Sequence, residues 1–330
     1  MDSTGAEPTT VLHVVAMPFP CQGHINALMS LCKLLSSRKH NLLITFVVTE
    51  EWLRCIGSEP KPDNIRFASI PTVIERAKAV DFCGFNEVVK TKMEAPFEQL
   101  LDRLEPPVAR IIADFELQWS FGVGIRRNIP LASLWTMSAA FFSSLHHYHV
   151  FAQAQPQLLP LHLIAALRNS GVRFLWVARG EASRLKESCG DTGLVVPWCD
   201  QLRVLCHPSI GGFWSHCGWN STLEAVYAGI PMFTFPLFLD QVPNSRQIVE
   251  DWKIGWRVNR AQVGSEILVT KEDILELVQR FMELENCERK KTWKRARELK
   301  NVCHQAITEG GSSHSHLDAF VSDFLEVKNH

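Results

Sequence analysis

Three short apolar runs, residues 194–196, 210–214 and 232–235, each end abruptly in polar or aromatic residues. The second and third runs are brief, branched or aromatic, and bounded by Gly or Pro, which is the pattern of a buried strand, and the first ends at Pro197. Trp198 and Gln201 follow the first run, His216 to Ser221 the second, and Asp240 with Gln241 the third. In an open α/β sheet, ligands bind outside the carboxyl ends of parallel strands. Three strand ends would therefore point one set of side chains at one crevice.

The middle run has its own chemistry. Ser215-His216-Cys217-Gly218 reads as a turn, and Asn220 or Ser221 is placed to cap a helix running to Gly229. A helix start offers free backbone N–H groups and a positive dipole end, which suits a phosphate. His216 would add a hydrogen bond or a charge to the same oxygens. Glu224 lies three residues after Ser221 and shares its helix face, so its carboxylate can accept from the two hydroxyls of a ribose. Trp198 offers a flat face for a base. The parts add up to a nucleotide site.

The rest of the chain supplies the sheet that this crevice needs. Residues 11–17 and 42–49 read as buried strands on either side of a helical pattern over 24–37. That β-α-β order implies a parallel sheet with right-handed crossovers. Strands at 65–70, 108–113 and 131–135 and one helix over 86–104, despite Pro96, complete a doubly wound first half. The pattern breaks at 151–161, FAQAQPQLLPL, which divides the chain into domains 1–155 and 156–330. The second half resumes with a strand at 172–178. After the three runs come a helix from Gln241, a strand near 254–258, and a helical tail opened by a capping box, Thr270-Lys271-Glu272-Asp273. The basic run 289–300 alternates with Trp293, Ala296 and Leu299 and reads as a solvated helix face.

Composition excludes other classes. The net charge of −1 gives no field favouring nucleic acid or an anionic membrane, and no apolar run approaches the length of a membrane span. The ten cysteines form no CxxC pair, and nothing upstream resembles a secretory signal, so a cytoplasmic protein with free thiols is expected. His146, His147, His149 and His162 lack a carboxylate or Cys spacing for a metal, and Cys199, Cys206, His207, His216 and Cys217 fit no zinc finger or ribbon. No GxGxxG, Walker loop or GxSxG is present.

In the first half, His24 follows one strand at the start of a helix and Asp114 follows another. Both ends belong to the same edge of a parallel sheet. Two readings stand. The pair is a His held by a carboxylate, the arrangement of a general base, or each residue merely caps its own helix.

Taken together, WCDQ, VLCHPSIGGFWSHCGWNSTLEA, AGIP and FPLFLDQ resemble, almost position for position, the signature box of plant family-1 UDP-glycosyltransferases. FPCQGHINALMSLCKLL is similar to the family's acceptor-side catalytic segment and GGSSHSHLDAF to its closing helix. The resemblance implies an α/β fold of GT-B type, two Rossmann-like domains with parallel sheets, the first binding the acceptor and the second the UDP-sugar. It implies that Trp198 stacks on uracil and backbone near Cys199 reads its edge. Gln201 and Glu224 would face the ribose. His216, Asn220 and Ser221, with the helix start at Gly218, would hold the diphosphate. Trp219, Asp240 and Gln241 would contact the sugar, and Gln241 favours glucose. His24 becomes the general base and Asp114 its partner. A UDP-sugar is then the co-substrate, with no metal or other cofactor, and the second partner is a small, largely apolar acceptor. The expected reaction is in-line displacement with inversion.

The chain is short for that family. The loss is expected at 151–161, where relatives carry the rest of the acceptor domain, the linker, and the donor domain's first strand with its Gly-Ser loop. Ser120-Phe121-Gly122 is not that loop, because it belongs to a first-domain helix. Removing the strand would leave its neighbours with unpaired edges. Two outcomes are open: an active glucosyltransferase, or an inactive relative that at most binds UDP or a partner.

Overall fold

Six consecutive buried residues, LHVVAM, form the central strand of the first sheet, β1 (Leu12–Met17). After it come α1 (Gln22–Arg38), β2 (Leu42–Thr49), α2 (Glu50–Ile56), β3 (Ile65–Ile70), α3 (Phe82–Lys92), α4 (Glu94–Leu101), β4 (Arg110–Asp114), α5 (Trp119–Arg127) and β5 (Leu131–Leu134). The computed structural model describes residues 11–73, 82–145, 160–178, 182–237, 239–258 and 269–326. Every pairing in this sheet is parallel, in the order β3-β2-β1-β4-β5. Side chains alternate across a strand, so Val14 and Ala16 pack with Leu28 and Leu35 of α1 on one face. Val15 and Met17 pack with Phe97 and Leu101 of α4 on the other. Coverage of both faces is why β1 and β2 read as continuous apolar runs rather than alternating ones.

The strand order reverses between β1 and β4. Such a switch point opens a crevice at the carboxyl edge of the sheet, and the two strand ends flanking it carry His24 and Asp114.

Several boundaries differ from the sequence expectation. The helix expected over 86–104 is two helices that part at Met93, and Pro96 sits in the first turn of the second. A missing N–H costs nothing there, because first-turn donors have no intrahelical acceptor. Ser120, Phe121 and Gly122 lie within α5, as expected.

The first unit comprises Met1–Thr136 with Ser315–His330, and the second comprises Met137–His314. This departs from a division at 155/156 with every C-terminal helix in the second domain. The reason is apolar packing at the end of the chain. Leu325 is buried in the α1–β2 cluster with Phe320 and Phe324 beside it. Lys39 Nζ donates to the Leu325 carbonyl at 2.7 Å, and Arg110 Nε to that of Phe324 at 3.0 Å.

The second unit runs α6 (Ala139–Leu145), α7 (Pro160–Asn169), β6 (Phe174–Val177), α8 (Ala182–Cys189), β7 (Gly193–Val196), α9 (Gln201–Leu205), β8 (Phe213–Ser215), α10 (Trp219–Ala228), β9 (Met232–Thr234), α11 (Gln241–Arg246), β10 (Gly255–Arg257), α12 (Lys271–Met282) and α13 (Cys287–Ile307). The last helix, α14 (Ser312–Phe320), crosses into the first unit. Most of the expected seam at 151–161 lies outside the described residues, as do His146, His147 and His149.

Among the described residues the second sheet is in two pieces, β6-β7 and β10-β9-β8, each parallel. In a doubly wound sheet of order 3-2-1-4-5-6, β7 and β6 would take positions 3 and 2, and β8, β9 and β10 positions 4, 5 and 6. Position 1, between β6 and β8, is filled by no strand among the described residues. The three strand ends expected on one sheet therefore come from two.

Strand β8 begins later than expected, at Phe213, because Gly211 and Gly212 form the approach to it. A Cβ at Gly212 would meet the Phe281 ring 2.6 Å away. Phe281 anchors α12, with its ring centroid 4.1 Å from Phe233 and 5.3 Å, edge-on, from Trp256. Fully burying such a side chain contributes about 1.5–3 kcal/mol. The Thr270–Asp273 capping box forms as expected. On α13, Ala296 is buried, while Arg289 and Arg297 flank the Trp293 ring at 5.6 and 5.7 Å, consistent with a solvated basic face. No described helix is long and apolar enough to cross a membrane.

Candidate active site

The switch point of the first sheet brings His24 and Asp114 together. His24 stands in the first turn of α1, and Asp114 closes β4. His24 Nδ1 lies 2.7 Å from Asp114 Oδ2. The carboxylate is 1% exposed, and the imidazole keeps 24% of its surface open. The Glu116 backbone N–H donates to Asp114 Oδ1 at 3.0 Å, so both carboxylate oxygens are held. With a carboxylate on Nδ1, the neutral ring carries its proton there and leaves the Nε2 lone pair available. The alternative of two independent helix caps does not describe this geometry, since neither side chain caps its helix.

Sequence reasoning missed the residue completing this group. Thr136, two positions beyond β5, places Oγ1 3.1 Å from the same Nδ1. Sheet order explains it, because β1, β4 and β5 are neighbours and their carboxyl ends converge. Nothing in the local sequence of Thr136 announces that convergence. Glu116 is a second acid beside the pair. Burial raises its carboxyl pKa, the nearby Asp114 charge adds to the rise, and His24 and Lys90 oppose it.

In the second unit, Gln201 joins two of the predicted groups although they follow strands of different sheets. Its Nε2 donates to Ser221 Oγ at 3.0 Å and to Glu224 Oε2 at 2.7 Å. Glu224 is half-buried, and burial pushes its carboxyl pKa up against the pull of the Gln201 hydrogen bond. Trp198, 64% exposed, presents an open indole beyond β7, and Cys199 is partly exposed next to it. Asp200 caps α9 by accepting from the Arg203 N–H, which fixes Gln201 as the first residue of that helix.

The turn after β8 corrects one expectation. Helix α10 begins at Trp219 with Gly218 as its N-cap, so Asn220 and Ser221 lie inside the first turn rather than capping it. Their placement leaves the first N–H groups of α10 without a side-chain cap. Cys217 adopts φ +68°, and its N–H donates to Ser215 Oγ at 3.0 Å. A Cβ at Gly218 would meet His216 Nε2, so any larger residue there must displace the His216 ring. His216 keeps an exposed surface, while the protein packed behind it depresses its pKa by desolvation. In the unliganded chain at neutral pH it therefore offers a hydrogen bond, not a charge.

The turn after β9 carries Asp240 and Gln241, both buried. Gln241 Oε1 accepts from the Leu237 N–H at 2.8 Å. Trp219 packs its ring 6.1 Å from that of Trp252. Asn244, which the sequence reading passed over, donates to the Cys217 carbonyl at 3.0 Å and to Asp240 Oδ2 at 2.7 Å. The loop after β8 is thus tied to the loop after β7 by Gln201 and to the loop after β9 by Asn244. Among the described residues no group of three or more His, Cys, Asp or Glu is placed to hold a metal ion.

Comparison with known proteins agrees with this arrangement. The family described as UDP-glucoronosyl and UDP-glucosyl transferase matches residues 158–286, and a glycosyltransferase N-terminal domain family matches residues 10–59. UDP-glycosyltransferase 87A2 of Arabidopsis thaliana is 37% identical, over 97% of this chain and 98% of that protein. The structure is similar to that of Os79 from O. sativa in complex with U2F and trichothecene, with TM-score 0.80, 21% identity and coverage of 94% and 99%. It is also similar to Phytolacca americana UGT2 complexed with UDP-2fluoro-glucose and pterostilbene, with TM-score 0.75, 20% identity and coverage of 96% and 100%.

The parallel α/β units and their fold likeness define a chain of the GT-B class. The protein belongs to the plant family-1 UDP-glycosyltransferases, a family of UDP-dependent glycosyltransferases. The alignment with 87A2 spans 449 positions against 330 residues here, so at least 119 of them (449 less 330) have no counterpart in this chain. Because nearly all of both chains is matched, the shortening is internal.

Proposed function

We propose that this chain transfers a hexose, glucose in the first instance, from a UDP-sugar to a hydroxyl of a small apolar acceptor, with inversion. The observation that carries the proposal is the His24–Asp114 pair at 2.7 Å, with Nδ1 engaged and Nε2 left for chemistry. His24 Nε2 takes the proton of the acceptor hydroxyl as the acceptor oxygen forms its bond to the anomeric carbon. The bond from that carbon to the diphosphate oxygen breaks, and UDP departs with the electron pair. Asp114 and Thr136 hold the imidazole in its tautomer, and the Asp114 charge stabilises the imidazolium.

On the donor side, Trp198 stacks on uracil and the backbone near Cys199 meets its edge. Glu224, held by Gln201, accepts from the ribose hydroxyls. The open N–H groups at the start of α10, with His216, Asn220 and Ser221, meet the growing charge on the diphosphate. Asp240, Gln241 and Trp219 meet the hexose. Supporting the sugar and acceptor classes, a solved structure of like fold holds UDP-2fluoro-glucose and pterostilbene. The compartment we propose is the cytosol, in keeping with free thiols at Cys32, Cys199, Cys206 and Cys287.

One observation favours a second reading. Among the described residues no strand joins β6-β7 to β8-β9-β10, in the unit proposed to bind the donor, which favours a chain that binds UDP without turning over. Incubation with UDP-glucose and a panel of small phenols, with products identified by mass spectrometry and anomeric configuration by NMR, separates the two. An inverted glucoside that disappears in His24→Ala, with UDP binding intact, is expected. UDP binding with no product from the parent chain would establish the second reading, and full activity in His24→Ala would remove the base assignment.

A further inference from the structure

A single buried amide connects two of the donor-side loops. Asn244, in α11, is 0% exposed. Its Nδ2 donates to the Cys217 carbonyl and to Asp240 Oδ2. Both amide protons are spent on groups that can only accept, so the orientation of the side chain is fixed by chemistry. Oδ1 consequently faces protein and has no hydrogen-bond partner. An unmade buried hydrogen bond is costly, so this orientation persists because both donations are made.

The two acceptors lie at functional positions. Cys217 carries the left-handed φ that delivers Gly218, the N-cap of α10. A residue with a Cβ pays for that conformation, and the hydrogen bond to its carbonyl helps hold it. Asp240 precedes α11 at the turn after β9. The amide thus fixes the distance between the diphosphate turn and a buried carboxylate 23 residues further on (240 less 217).

We propose that Asn244 is a positioning residue for donor recognition, setting the Asp240 carboxylate against the diphosphate turn so that the site registers the hexose of a UDP-hexose as well as its UDP. This rests on the reading above, in which Asp240 meets the hexose and the start of α10 the diphosphate. Contacts held within a fraction of an ångström discriminate, and looser ones do not. Asn244→Ala removes the donor. Asn244→Asp, nearly the same shape, sets a carboxylate against another carboxylate and a carbonyl.

Calorimetric titration of the full chain with UDP and with UDP-glucose tests this in the parent protein, Asn244→Ala, Asn244→Asp and Asp240→Asn, with thermal unfolding recorded for each. Asn244→Ala is expected to weaken UDP-glucose by about tenfold or more while UDP changes by less than about threefold. Asn244→Asp is expected to exceed it in the same direction, and if that variant does not fold, Asn244→Ala carries the test. Equal losses for both ligands would mark a merely structural role and overturn the proposal. Loss of the preference for UDP-glucose in Asp240→Asn but not in Asn244→Ala would overturn this proposal alone. An unchanged preference in Asp240→Asn, or a parent chain that binds neither ligand, would overturn the underlying reading and this one with it.

Discussion

His24 Nδ1 and Asp114 Oδ2 stand 2.7 Å apart although 90 positions of chain separate the residues. Strands β1 and β4 are parallel neighbours at the point where the sheet order reverses, so residues at their carboxyl ends must meet. The contact is a consequence of topology, and its burial makes it a fixed one.

Replacing Asp114 by Asn keeps the shape and removes the charge that holds the Nδ1 proton and stabilises the imidazolium. A fall in kcat of about 10²–10⁴-fold is expected, with UDP affinity unchanged. Thr136→Val is expected to lower kcat in the same sense but by less, and Thr136→Ser to restore it. Steady-state kinetics beside UDP titrations would show it, and wild-type kcat in Asp114→Asn would remove Asp114 from the mechanism.

If Glu224 accepts from the ribose as proposed, its raised pKa gives UDP binding a pH dependence. A protonated Glu224 is a poorer acceptor for ribose hydroxyls, so UDP affinity should fall on acidification, starting above the ordinary glutamate range. Gln201→Ala removes the hydrogen bond that opposes this rise, so the fall should begin at still higher pH. It should also weaken UDP by about 10-fold or more at neutral pH, as for loss of a hydrogen bond to a charged group. Titrations from pH 4.5 to 8 read both effects. A pH profile unmoved by Gln201→Ala would argue against the link.

Gly218→Ala forces a Cβ into the place of His216 Nε2. The ring must swing aside, and UDP affinity should drop. In a His216→Ala background the collision is absent, so the added cost of Gly218→Ala should largely vanish. A double-mutant cycle on UDP binding measures that coupling. Additive losses would mean the glycine serves another purpose.

His13 is buried in β1, bonded to Thr45 Oγ1 at 2.7 Å and to the Pro106 carbonyl at 2.5 Å. Burial lowers its pKa, with the Arg66 charge in support and the Pro106 contact opposing. On acidification below about 6.5, the unfolded chain takes up a proton at this position that the folded chain refuses. Stability of the first unit is therefore expected to be full above that pH and to decline as pH falls towards the lowered folded value. Calorimetric Tm between pH 5 and 8 checks this, and the slope should flatten in His13→Gln.

Among the described residues no strand joins β6-β7 to β8-β9-β10, and that predicts a stability cost. Edges inside a sheet that lack a partner strand invite association and lower cooperativity. A chimera carrying the corresponding internal segment of 87A2 should melt at a higher temperature, stay monomeric at higher concentration and bind UDP more tightly. Unchanged melting and association would show that the shortened sheet is complete as it stands.

Much was legible from residues alone because local chemistry dictated it. Apolar runs announced β1, β2, β7 and β9 to within a residue or two, and proline closes three of them, after Met17, Val196 and Phe235; β1 and β2 are mostly apolar because both of their faces are covered. The Thr270 box, the glycine ending α10 and the motif residues around His216 and Glu224 were equally readable. Tertiary structure decided the rest. Which strand ends adjoin brought Thr136 to His24. The buried amide of Asn244 and the reach of Gln201 between two sheets are long-range contacts with no local period. Leu325 returned the end of the chain to the first unit because an apolar residue goes where a core has room for it, whatever its place in the order of the chain.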